Sequence, residues 1–195
     1  MLVADEDYER VAFEGTEFDV SASGSCQFHG CTFDHCSFFG NNLRRSRFTD
    51  TALRDTRFVA AELTETGWLD TSLTACALAG AQVYSSLLRR VTFRDCKLDA
   101  VNFRTSTLID VTFEDCLLRD VNFGSAKLTR VRFPGSTLEQ ADFTKVTCAK
   151  VDLRGAARID LSGGYDSLSG VTIDTIQLVG LAPALAHHLG INVED

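Results

Sequence analysis

Large apolar residues recur along this chain every five positions. From Tyr8 to Leu153, the residues whose numbers end in 3 or 8 make 30 positions, of which thirteen are Phe and twelve are Leu. The other five are Tyr8, Ser23, Trp68, Val83 and Cys148, and a single Phe, Phe39, lies off this register. Two residues before each large position, from Val11 to Ala156, stands Val, Thr, Ser, Cys or Ala, with Asn41 the one exception. A period of five fits neither a helix nor a flat strand. It predicts an all-β chain that turns a corner after every five-residue step. The large and small apolar positions are two apart, so both point to the same side of a short extended segment. The remaining three positions face water and form the corner. Six of 14 Gly stand two residues after a large position: Gly15, Gly30, Gly40, Gly80, Gly135 and Gly155. A type II turn needs a positive φ there, and Pro134-Gly135 supplies the pairing that turn prefers.

The unit is plainest in Val101-Asn-Phe-Arg, Val121-Asn-Phe-Gly, Ala141-Asp-Phe-Thr and Val151-Asp-Leu-Arg. On these residues the chain resembles the pentapeptide-repeat family, whose motif is small, Asp or Asn, Leu or Phe, polar, any. The resemblance implies a right-handed, quadrilateral parallel β-helix with four pentapeptides per coil. It implies about seven coils and a rod of roughly 35 Å at ~4.8 Å per coil. Stability should then spread along the rod, with caps needed at its ends. From Phe93 to Phe143 Phe and Leu alternate strictly, whereas before Leu73 the Phe columns differ. Between these regions residues 79–87 offer a weak core, read either as a kink or as ordinary drift.

Three regions follow: an acidic N-terminal segment (1–10), the β-helix (11–155) and a capping or dimerisation segment (156–195). In the last, Arg158 takes an inward slot, and Leu168 and Ile173 briefly recover the register. Asp174-Thr-Ile-Gln177 reads as a capping box. Leu178, Leu181, Leu185 and Leu189 follow at helical spacing, with Pro183 expected to split the segment into two short helices and Gly190 placed as its C-terminal stop. These leucines can cover the last coil. They are also the candidate interface of a homodimer, as in the quinolone-resistance members of the family, and the two roles are compatible.

The chemistry for an enzyme is missing. Six of seven Cys (Cys26, Cys31, Cys36, Cys76, Cys96 and Cys116) occupy the small inward position and Cys148 a large one, so they read as small hydrophobes rather than as a metal or redox site. His29, His35, His187 and His188 have no triad or zinc spacing. No phosphate loop, dinucleotide fingerprint or nucleophile elbow is present. No catalytic residue, metal, cofactor or small-molecule substrate is expected, and the chain is read as a binding protein, not an enzyme. No run of 18 apolar residues occurs, so no membrane span is expected. An acidic start without a signal-like stretch and the free thiols point to the cytoplasm.

Charge refines the partner. Well-known members of the family resist quinolones by binding DNA gyrase with a rod thought to imitate duplex DNA in width and negative charge. The net charge here is −8. Residues 11–155, however, carry 18 acids and 17 bases, which excludes a uniformly acidic rod. Stepping four repeats at a time, the two adjacent faces containing Phe13 and Phe18 are acidic and the two containing Leu43 and Phe48 are basic. The candidate partner-binding acidic side comprises Glu14, Asp34, Asp55, Asp95, Glu114, Asp115 and Asp152. The basic side comprises Arg44, Arg45, Arg89, Arg90, Lys127, Arg130 and Lys150. Phe39 with Val59, and Leu69 with Ile109, fall in shared outward columns. The specific expectation is a DNA-mimicking gyrase inhibitor giving fluoroquinolone protection, and the alternative is a scaffold for an unrelated protein. Direct nucleic-acid binding is not expected, because Asp50, Asp70 and Asp110 interrupt the bases and no aromatic platform accompanies them.

Overall fold

The computed structural model describes residues 2–18 and 24–194. Ser23, one of the thirty inward positions, lies outside them. Each short strand pairs in parallel with the strand 20 residues on: Asp7 with Gln27, Gln27 with Arg47, Arg47 with Gly67, Gly67 with Leu87. Four pentapeptides therefore make one coil, and the coils stack into a parallel β-solenoid of about eight turns. Backbone bonds tie neighbouring coils at every step, as from Gly67 N–H to the Ser46 carbonyl at 3.0 Å and from Asp50 N–H to the Leu69 carbonyl at 3.0 Å.

The interior is closed by side chains, not hollow. Phe28, Phe33, Phe38, Phe48, Phe58, Phe103, Phe113, Phe123, Phe133 and Phe143 are all fully buried. Rings one coil apart stack, with centroids 4.9 Å apart for Phe28 and Phe48 and 4.8 Å apart for Phe93 and Phe113. Offset stacking of this kind adds to plain apolar burial. In the coil of Phe48, Leu53, Phe58 and Leu63 the two Phe come from opposite faces. In the coil of Leu88, Phe93, Leu98 and Phe103 they come from the other two faces. The change of diagonal falls in the coil of Trp68, Leu73, Leu78 and Val83, where one very large and one small side chain share the interior volume. Residues 79–87 hold no kink, because Gln82 bridges to both Glu62 and Asn102 and Val83 N–H bonds the Asn102 carbonyl at 2.8 Å. The Trp68 indole N–H donates to Thr66 Oγ1 at 2.8 Å, so its polar edge is satisfied inside.

The small inward position tolerates hydroxyls because the ladder satisfies them. Ser86 Oγ accepts the Thr66 N–H at 2.9 Å and donates to the Leu63 carbonyl at 3.0 Å. The corner residue is left-handed whether or not it is Gly: Gly15 has φ +57°, Asp50 +52° and Arg90 +53°. The coil-to-coil bond to that residue's N–H imposes the conformation, and Gly only lowers its cost. Some corners close an internal turn bond, as from Ser136 N–H to Phe133 O across Pro134-Gly135 at 3.2 Å, while others are wider bends.

The far end departs from expectation in three ways. Arg158 is exposed, since a one-residue slip pairs Leu138 with Ile159 and gives Ile159 the inward slot. The coil then resumes, Val171 pairing with Val151, which adds a turn to the expected seven. Gly164 makes this return possible: its φ is +89°, and a Cβ there would lie 2.1 Å from the Phe143 carbonyl carbon. Finally, Pro183 sits inside one continuous helix, α1 (Thr175–His188), instead of dividing it. α1 begins with the expected capping box, Asp174 Oδ1 accepting the Gln177 N–H at 2.8 Å and Gln177 Oε1 accepting the Asp174 N–H at 3.1 Å. The Gln177 side-chain amide also donates to the Leu153 carbonyl at 2.7 Å, locking the helix start onto the coil. At the other end Leu2 is buried and the Val3 N–H bonds the Tyr8 hydroxyl at 2.9 Å.

Candidate interaction surface

The outward residues form ladders at one-coil spacing, so each charge meets the residues 20 before and after it. Two of the expected acidic residues are tied up. Arg94 donates to Glu114 Oε2 at 3.0 and 2.8 Å. Arg154 donates to Asp152 at 2.9 and 2.8 Å and holds the Asp152 carboxyl below the usual carboxylate range. Asp34 Oδ1 lies 2.8 Å from His35 Nδ1, and Asp55 lies 3.9 Å from the other ring nitrogen. Among the described residues Glu14, Asp95 and Asp115 take part in no ion pair. Asp95 and Asp115 are exposed one above the other on a corner column, and the Asp115 carboxylate lies over Gly135.

The seven candidates thus fall on three ladders. Glu14, Asp34 and Glu114 share a column interrupted by Arg54 and Arg94. Asp55, Asp95 and Asp115 share its neighbour, and Asp152 stands apart beside Arg132. The basic side is equally mixed: Arg90 bonds Asp70 at 2.5 and 2.7 Å, and Arg130 bonds Asp110 at 2.5 and 2.8 Å. Each of these arginines holds its aspartate's pKa down.

The three leucines of α1 and Leu189 at its C-terminal cap do not act as one surface. Leu181 is buried and Leu185 half-buried against the last coil, beside Leu153, Ile159, Leu161, Tyr165 and Leu168. Leu178 and Leu189 are exposed, as are Ile176, Val179, Ile191 and Val193. Phe39 and Val59 pair across coils and are both exposed. Leu69 and Ile109 share a column but are separated by Arg89.

All seven thiols are free, and six are buried. Contact with the Cys96 sulfur, followed by burial, pushes the Cys76 and Cys116 thiols far up, and burial pushes Cys148 up to about 11. Asp34, His35 and Asp55 are the one group among the described residues that brings three potential metal-ligand atoms within 4.8 Å of one another. A linear reading misses it, because only a step of twenty places His35 over Asp55. The group is largely exposed, and the Asp34–His35 contact already accounts for its geometry.

Residues 66–143 of this stack match the family described as pentapeptide repeat region. Those residues are a pentapeptide-repeat region. Solved structures similar to this chain include full-length QnrB1, a plasmid-mediated fluoroquinolone resistance protein. The two are 17% identical over 95% of this chain and 100% of that one, with a TM-score of 0.39. Another is HetL, involved in heterocyst differentiation regulation in the cyanobacterium Nostoc sp. strain PCC 7120. It is 16% identical over 86% of this chain and 85% of that one, with a TM-score of 0.42. No curated protein matches the sequence. Both structural likenesses are distant, and the architecture rests on the repeat and its pairing. No helix of the described residues is long and apolar enough to cross a membrane.

Proposed function

We propose that this pentapeptide-repeat protein is a non-catalytic, cytoplasmic binding protein that recognises a protein partner through its flat outer faces. One observation carries the reading: the axis is filled by Phe and Leu, which leaves the outer ladders of polar and charged side chains as the recognition surface. The most specific partner within this reading is DNA gyrase, bound in place of duplex DNA, with fluoroquinolone protection as the consequence. Glu14, Asp95 and Asp115 support it as unpaired acids on one side of the rod. The paired states of Glu114 and Asp152 narrow the acidic surface to those residues together with Asp34 and Asp55. The reading includes a homodimer through the C-terminal helix, with Ile176, Leu178, Val179 and Leu189 as its free apolar surface.

A supercoiling assay with purified protein, with and without a fluoroquinolone, tests the gyrase partner. Inhibition or drug protection at micromolar protein, weakened by Asp95→Lys with Asp115→Lys, supports it. Absence of both effects removes gyrase and leaves a scaffold for another protein. Light scattering tests the dimer: Val179→Glu should give a monomer.

A further inference from the structure

Gly67 is a glycine that the backbone does not require. It lies in the strand Gly67–Thr74, its φ is not positive, and a Cβ there would meet only the Arg47 Cγ, at an ordinary 3.6 Å. Its neighbours in the outward ladder are Arg47 on one side and Leu87 on the other. The missing side chain therefore opens a notch between two long ones. This notch is a surface depression of about 380 Å³, floored by Gly67 and Trp68 and walled by Arg47, Leu69, Leu87 and Arg89. Leu87 is 48% exposed, and Leu69 and Ile109 are half-buried on the same outer face.

The charges around the notch are uneven. Arg47 and Arg89 flank it, and among the described residues neither takes part in an ion pair. The one acid on the rim, Glu65, is 3.7 Å from Arg44. Arg90, next to Arg89, is already held by Asp70. The notch thus offers an apolar seat between two guanidinium groups whose hydrogen-bonding edges no carboxylate occupies, although Asp70 and Asp110 lie near Arg89, and both are suited to bidentate carboxylate recognition. A basic nucleic acid reader would need a stacking ring exposed at the seat, whereas the Trp68 ring is 4% exposed and faces inward.

We propose that this notch docks an acidic segment of a protein partner, one large apolar side chain entering at Gly67 while flanking carboxylates bind Arg47 and Arg89. The site goes beyond the gyrase reading, since it lies on the face opposite the one bearing Phe58, within the basic half of the rod. It can stand or fall independently of the acidic columns.

The test is fluorescence anisotropy with the full chain and a labelled peptide, acetyl-Gly-Glu-Asp-Phe-Asp-Glu-Gly-amide. Saturable binding is expected, weakened at least about tenfold, a difference of ~1.4 kcal/mol, by Gly67→Leu and by Arg47→Glu with Arg89→Glu. Gly67→Leu fills the notch at a strand position where Leu is at least as well tolerated as Gly, so circular dichroism and the melting temperature should match the parent. Replacing the peptide's Phe by Ala should weaken binding by a similar factor, while Asp95→Lys with Asp115→Lys should leave it unchanged. Equal binding by the parent and Gly67→Leu overturns the proposal, as does indifference to the Phe-to-Ala change. Tighter, Gly67→Leu-sensitive binding of a duplex DNA oligomer overturns it in favour of a nucleic-acid site.

Discussion

The middle coils and the C-terminal end of this rod solve the same problem under different conditions. A coil such as Leu108-Phe113-Leu118-Phe123 is covered above and below by near-copies of itself. Its side chains stack on identical neighbours, its backbone bonds repeat without a gap, and its corners hold Asp or Ser in the same left-handed conformation that Arg or Gly takes elsewhere in the stack. The last coil has another coil on one side only. There the chain slips by one residue at Arg158, approaches Phe143 through Gly164, makes a short 3-10 turn at Tyr165–Ser167 and closes the end with α1. Repetition makes a position tolerant of its residue type, and the loss of a covering neighbour makes it particular.

The largest effect should come from the middle. Phe113 is fully buried between Phe93 and Phe133, so Phe113→Ala should cost about 3–5 kcal/mol in denaturant unfolding. Leu168→Ala, in the half-covered last coil, should cost distinctly less, and equal losses would erase the contrast. Gly164→Ala should come next, because its Cβ meets backbone that cannot move aside. A loss of about 2–3 kcal/mol is expected, confined by hydrogen exchange to residues after 156 while the coils around Phe113 stay protected. Asp174→Ala removes the helix cap and should cost about 1 kcal/mol, with Asp174→Asn nearly neutral.

The smallest effect concerns Asp152 and Arg154. Arg154 lowers the folded-state pKa of Asp152, so the pair's stabilisation is present above the ordinary carboxylate pKa and is lost as pH falls through the lowered value. Arg154 is exposed and Asp152 half-buried at the surface, so Asp152→Asn should change stability by about 1 kcal/mol or less at neutral pH, and by less still in high salt.

The repeat makes the middle of the fold legible from the residues alone, since Phe and Leu at one period and small residues two places earlier leave a single way to bury both. The capping box is equally legible, because Asp174 and Gln177 act locally. The single helix through Pro183 is not. The proline stands at the ninth position of a helix already locked onto the coil through Gln177 and buried at Leu181, and those contacts outweigh one lost backbone bond. The slip at Arg158 escapes a linear reading because a one-residue insertion leaves the apolar composition unchanged while moving Ile159 inward. Sorting charges by face locates the acidic candidates but not their partners. Arg94 under Glu114 is a one-coil step visible in the sequence, whereas Arg154 beside Asp152 depends on rotamers. The notch at Gly67 carries no signal at all in the period-five pattern, which is blind to a missing outward side chain.

Ring-to-ring nuclear Overhauser contacts in a sample labelled only at Phe test the twenty-residue stack most directly. Phe113 should show cross-peaks to both Phe93 and Phe133, and Phe123 to Phe103. Rings that contact only residues near them in sequence, or that exchange freely with solvent-borne relaxation agents, would contradict the coil on which every surface described above depends.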